Sequence, residues 1–209
     1  MESYLAIFIP AFTALFVIID PIGLAPIFGG LTEGTDKKHQ RAMAMKGTLV
    51  GGLILVFFAF AGKPFLNALG ISMDALRVAG GFMLFIIALE MVFEKRTERK
   101  QESAEKMEHT FEDISVFPLA IPLLAGPGAI ATIMLLMADQ QDNIIGQTVV
   151  MVALLIVIVA SFLAFLLASR LMGWMGETLS SVITRVLGII LAALAAQYMM
   201  DGMQNTFFS

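Results

Sequence analysis

Asp20 is an acidic residue in the middle of a long apolar stretch, where residues 20–26 read DPIGLAP. A charged group at the centre of a bilayer costs ~2.5–3.5 kcal/mol even on a lenient insertion scale, so it is a candidate functional group. Three roles are open for Asp20, of which capping and ammonium binding are compatible with each other. It can face the ammonium group of a substrate, bind a coupling proton or sodium ion, or cap the half-helix that follows.

A second proline-glycine motif lies in the second half of the chain, where residues 122–128 read PLLAGPG. Pro21 and Ala25 of the first half recur as Pro127 and Ala131, which indicates a duplicated unit. Proline lacks a backbone N–H and glycine adopts angles closed to other residues, so each motif predicts a short unwound segment. Paired interruptions of this kind point to the binding site of a secondary transporter.

The half-helices predicted to begin near Gly23 and Gly128 would present free N–H groups, equivalent to about half a positive charge at each end. Such ends suit a carboxylate, and Asp20 beside them suits an ammonium group. The alternative interpretation is a pair of proline kinks satisfied by neighbouring helices and water. The predicted substrate-binding residues are Asp20, Pro21, Gly23, Leu24, Ala25, Gly126, Pro127, Gly128, Ala129, Ile130 and Thr132.

The composition places these residues in a lipid bilayer, because 58% of the chain is hydrophobic and only 14% is charged. Hydrocarbon about 30 Å thick needs ~20 apolar residues of helix. Six stretches meet this length, at residues 4–31, 42–66, 73–93, 116–138, 145–171 and 180–205. We therefore predict an all-α membrane protein of six transmembrane helices in two inverted three-helix repeats, with helices 1 and 4 broken near the midplane. The repeats are 1–93 and 114–209, and a charged linker, 94–113, joins them.

The basic residues predict the orientation of the chain. Lysine and arginine concentrate after the first, third and fifth predicted helices, whereas the opposite side has only Lys63 and Arg77. The positive-inside rule then places the linker in the cytoplasm and both termini outside. Because each repeat has an odd number of spans, the second repeat is inverted relative to the first.

Several functional classes are not supported by the residues. The chain has no cysteine, and His39 and His109 both lie in charged loops, so we predict no metal site and no cofactor. No nucleotide-binding P-loop motif and no basic nucleic-acid patch is present. Asp20 lacks a second acidic residue at its depth, which argues against an intramembrane protease. We expect a protein that is not an enzyme.

Two segments resemble the signature segments of the MarC family, also called the small neutral amino acid transporter family. They are residues 16–28 and residues 122–132, and the similarity extends over essentially the whole chain. Leu24 departs from the family pattern, which has asparagine there in many members. The resemblance implies the 3+3 inverted-repeat fold and uptake or export of small neutral amino acids such as glycine and alanine, coupled to an ion gradient.

The leading functional hypothesis is therefore an alternating-access symporter of small neutral amino acids in the plasma (inner) membrane. Two alternatives remain open at this point. One is a non-transporting stress-response factor that recruits a cytoplasmic partner through the charged linker. The other is an exporter of drugs or metabolites, which would be expected to have a larger apolar cavity than a small site between helix ends.

Overall fold

The structure is a computed structural model that describes residues 2–32, 34–95, 120 and 123–207. This part of the chain contains helices of eleven residues or more and no β-strand. The helices are α1 (Glu2–Ile19), α2 (Pro21–Leu31), α3 (Lys37–Ala68), α4 (Met73–Val92), α5 (Pro127–Asp139), α6 (Ile144–Leu166) and α7 (Ala168–Phe207).

Five helical stretches are long and apolar enough to cross a membrane, and each confirms a predicted span. They are Tyr4–Leu31, which comprises α1 and α2, then Lys37–Ala68, Met73–Val92, Ile144–Leu166 and Ser181–Phe207. Of the predicted fourth span, 116–138, the described part contains the shorter apolar helix α5. Residues 116–119, 121 and 122 of that span, and the linker beyond Lys95, lie outside the described residues.

The centre of the protein is formed by α1, α2 and α5. In the most apolar part of Tyr4–Leu31, 44% of residues are buried, against 22% in Ser181–Phe207. In α5, most side chains from Gly128 to Ala138 are buried, because the helix lies against α1, α3 and α4. The outer surfaces of α3, α6 and α7 carry exposed Leu, Ile, Val and Phe side chains, as expected for contact with lipid.

The most extensive helix contact joins α4 and α7, which run antiparallel. A Cβ atom added to Gly81 of α4 would lie 2.8 Å from the carbonyl oxygen of Ala195, and one added to Gly188 of α7 would lie 2.8 Å from Cβ of Met91. Glycine at these positions lets the two backbones approach closely, as in other membrane helix pairs.

This contact predicts a stability difference between two glycines. Gly81→Ala should lower the free energy of unfolding by about 1–3 kcal/mol, because the new methyl group meets backbone that cannot rotate away. Gly52→Ala is the matched control, since its Cβ would lie 3.6 Å from Ile158 in ordinary contact. Thermal unfolding in detergent measures both variants. Equal melting temperatures would contradict the observed packing.

Candidate functional site

The chain turns at Asp20, the single residue between α1 and α2. Its backbone is left-handed, with φ 58° and ψ 64°, a conformation that aspartate tolerates better than most residues. The amide of Asp20 still donates to the carbonyl of Phe16 at 2.8 Å, and the amide of Leu24 donates to the carbonyl of Asp20 at 3.0 Å. Pro21 occupies the first position of α2, where its missing N–H leaves no helical bond unmade.

The carboxylate of Asp20 caps α2. It is only 3% exposed, and its Oδ1 accepts a hydrogen bond from the amide of Gly23 at 3.0 Å. A Cβ atom on Gly23 would overlap Oδ2 of the same carboxylate, so a residue without a side chain is required there. Among the roles that the sequence left open, capping is the one that this geometry displays.

The start of α5 differs from the start of α2. Gly126 precedes the helix in an extended conformation, and within the described residues no side chain caps the first turn. Pro127 is again the first helical residue, and the amide of Ile130 donates to the carbonyl of Gly126 at 3.0 Å. The amides of Gly128 and Ala129 are the remaining first-turn donors, and both residues are buried.

The two helix starts are brought close by apolar packing. A Cβ atom on Gly128 would lie 2.9 Å from Cδ1 of Ile18, two residues before Asp20, and 2.7 Å from Cδ1 of Ile87 in α4. The first turn of α5 therefore packs against the last turn of α1. Ile18 and Ile87 thus form apolar walls around the start of α5. Sequence reasoning missed them, because nothing distinguishes them from the many other isoleucines of the spans.

The remaining predicted residues have different surroundings. Leu24 and Ala25 are fully buried in the core, Gly126 and Ile130 are half-buried, and Pro127 is exposed. Thr132 is completely buried, and its hydroxyl donates to the carbonyl of Gly128 at 2.8 Å. That bond leaves the hydroxyl oxygen as an acceptor beside the same turn.

Two arginine ion pairs lie at opposite ends of α4. Arg77 contacts Asp74 at 2.7 Å and Asp139, in the last turn of α5, at 2.6 Å. Arg185 of α7 contacts Glu94, just after α4, at 2.7 Å and is more exposed. Within the described ranges, no group of three His, Cys, Asp or Glu side chains is arranged to hold a metal ion.

Comparison with known proteins assigns the family. Residues 5–207 match the MarC family integral membrane protein model. The chain belongs to the MarC family. It is 35% identical over 198 residues to a UPF0056 membrane protein of Methanocaldococcus jannaschii, covering 95% of this chain and 96% of that protein. It is 33% identical over 196 residues to the UPF0056 inner membrane protein YhgN of Escherichia coli K12, covering 94% and 95%. No solved structure matches it.

This MarC family protein is accordingly an integral, multi-pass membrane protein whose relatives include inner membrane proteins. A third relative, the UPF0056 membrane protein YvbG of Bacillus subtilis, is 37% identical over 203 residues, which cover 94% of this chain and 93% of that protein. The names of these relatives specify membrane proteins and state no substrate, so the activity has to be argued from the site.

Proposed function

We propose that this protein is an alternating-access secondary transporter of small neutral amino acids of the glycine or alanine type, driven by a proton or sodium gradient. The observation that carries the proposal is the buried carboxylate of Asp20 close to the start of α5, a start that has no side-chain cap among the described residues. A buried acid within a membrane span is costly, and such groups usually bind substrates or ions.

The start of α5 is the proposed site for the substrate carboxylate. Its Gly128 and Ala129 amides lie at the positive end of a helix, which favours an anion. The start of α2 suits this role less well, because the amides of Gly23 and Leu24 already bond to Asp20. The carboxylate of Asp20 would then face the substrate ammonium or the coupling ion.

The proposed preference for small side chains follows from the walls of the site. Ile18 and Ile87 approach Gly128 so closely that even one added methyl group requires them to shift. A ligand held at the Gly128 amide therefore has little room for a branched or aromatic side chain. Glycine and alanine are the zwitterions that fit this space with the smallest displacement of these walls.

Alternating access is supported by the relation between the two halves. Under the proposed inverted repeat, α4 and α7 are equivalent helices, and their antiparallel contacts are nearly reciprocal, with Gly81 against Met199 and Gly188 against Met91. The ion pairs of Arg77 and Arg185 lie at opposite ends of this helix pair. Each ion pair is a candidate contact that closes the transport site on one side of the membrane. Transporters with inverted repeats commonly alternate between states that are closed on opposite sides.

The two ion pairs predict opposite conformational shifts. Asp139→Asn removes one partner of Arg77, and Glu94→Gln removes the partner of Arg185, so they should open opposite sides. Because the chain has no cysteine, Ala129→Cys provides a single reporter in the buried first turn of α5. Labelling of this cysteine by a membrane-impermeant maleimide should rise from one side in the first variant and from the other side in the second. Shifts in the same direction would contradict alternating access at these closures.

Uptake of radiolabelled glycine and alanine into proteoliposomes tests the proposed function. Saturable uptake that requires an imposed proton or sodium gradient is expected, with inhibition by unlabelled alanine and none by leucine. Protein-free liposomes give the background. If protein that unfolds cooperatively, and is therefore folded, shows no uptake under any gradient, the transporter hypothesis is rejected. Loss of a cellular phenotype on deletion of residues 95–110, with substrate binding intact, would favour the linker-dependent function.

A further inference from the structure

An apolar groove runs along the outer surface between α3 and α6, and its lining shares no residue with the proposed transport site. Its volume is about 410 Å³, within the ~300–1,000 Å³ typical of small-molecule sites. The groove is lined by Thr48, Leu49, Gly52, Leu53, Val56, Thr148, Met151, Val152, Leu154, Leu155 and Ile158.

The walls of the groove offer almost only hydrocarbon. The hydroxyl of Thr48 donates to the carbonyl of Ala44 at 2.7 Å, and that of Thr148 donates to the carbonyl of Ile144 at 2.9 Å. Both hydroxyl groups are therefore satisfied by their own helices, and the threonines present methyl groups. Gly52 has no side chain and leaves the floor open beside Ile158. Such a surface suits an acyl chain.

The two ends of the groove differ in charge, because basic side chains cluster at the N-terminal end of α3, whereas Lys63 at the other end donates to Gln141, next to Asp142. Lys38, Arg41 and Met45 are spaced by three and four residues along α3, so they continue the groove face toward the N-terminus of that helix. Lys38 and Arg41 are exposed. The nearby Asp36 is occupied as the cap of α3, accepting from the amide of His39 at 2.6 Å. At the opposite end, the exposed Asp142 precedes α6.

We propose that this groove binds one anionic phospholipid, with an acyl chain along Gly52 and the phosphate at Lys38 and Arg41. The length of the groove with its basic end agrees with that of one phospholipid, because Arg41 and Val56 are separated by about 22 Å of helix. That distance is about half of the ~40–45 Å thickness of a bilayer with its head groups, hence one leaflet. Basic side chains at the membrane surface attract anionic lipids. At the far end Lys63 and Asp142 offset each other, so that end offers a phosphate no excess of positive charge.

Native mass spectrometry of the detergent-purified protein tests this site, with an equimolar mixture of phosphatidylglycerol and phosphatidylcholine of identical acyl chains. Preferential retention of one phosphatidylglycerol is expected. Lys38→Gln with Arg41→Gln should lower its retention by about tenfold, to the level of phosphatidylcholine. Lys63→Gln, which removes a basic residue at the other end of α3, is the matched control and should have no effect.

The groove itself is tested by Gly52→Leu, which fills it and should lower retention of both lipids. Gly30→Leu is the control for added bulk, because a side chain at Gly30 meets no atom within 4 Å. Equal retention of the two lipids by the wild type, or unchanged phosphatidylglycerol binding in the double charge variant, would overturn the proposal. A changed ratio of dimer to monomer in Gly52→Leu without any loss of lipid would assign the groove to a second copy of the chain.

Discussion

Asp20→Asn is expected to abolish gradient-driven glycine uptake while leaving the thermal stability of the protein nearly unchanged. Asparagine tolerates the left-handed backbone at φ 58° and keeps an oxygen that accepts from the Gly23 amide, so the cap of α2 survives. The charge that would face an ammonium group or a coupling ion is lost. Removing one partner of a buried charged contact costs ~2–5 kcal/mol, or at least roughly 30-fold in apparent affinity.

Asp20→Ala separates the cap from the charge. Alanine loses the hydrogen bond to Gly23, which costs about 1 kcal/mol, and it adopts a left-handed backbone at a cost of about 1–2 kcal/mol. Asp20→Ala should therefore unfold at a lower temperature than Asp20→Asn, although both lack uptake. Wild-type uptake by Asp20→Asn, with the same dependence on the imposed gradient, would restrict Asp20 to its capping role.

Gly128→Leu is expected to reduce uptake by about 100-fold or more. The new side chain would occupy the space of Ile18 and Ile87, so it would push the first turn of α5 away from α1 and α4. Overpacking of this kind costs about 1–3 kcal/mol of stability, and a displacement of about 1 Å suffices for a large loss at a positioned site. Glycine uptake and thermal unfolding are measured on the same preparation.

A graded series tests whether the walls around Gly128 cause this loss. In Gly128→Ala, only the ends of two flexible isoleucine side chains have to move, so an intermediate loss of uptake is expected. Adding Ile87→Val removes the Cδ1 atom that lies nearest to the new methyl group, and this double variant should recover uptake. Gly30→Leu, which adds the same bulk in open space, should transport normally. If the double variant does not recover uptake, contact with Ile18 and Ile87 is not the cause of the loss.

The local features of the site were readable from the residue types around it. An aspartate followed by proline, with glycine three residues after the aspartate, predicts a helix start with a side-chain cap, because each residue supplies one property that such a start needs. The same reasoning predicted a helix start near Gly128, and α5 begins at Pro127. It did not predict that the α2 amides are satisfied by Asp20 whereas the first turn of α5 has no side-chain cap among the described residues.

The sequence by itself determined the membrane class, the family and the positions of five of the six predicted spans, because these depend on hydropathy and on motifs that are local along the chain. Only the tertiary structure decided that Ile18 and Ile87 lie against Gly128, that Asp139 forms an ion pair with Arg77, and that a groove forms beside Gly52. These contacts join residues far apart in sequence. Many apolar side chains are interchangeable by type in a membrane protein, so which of them meet is fixed by helix packing and not by composition.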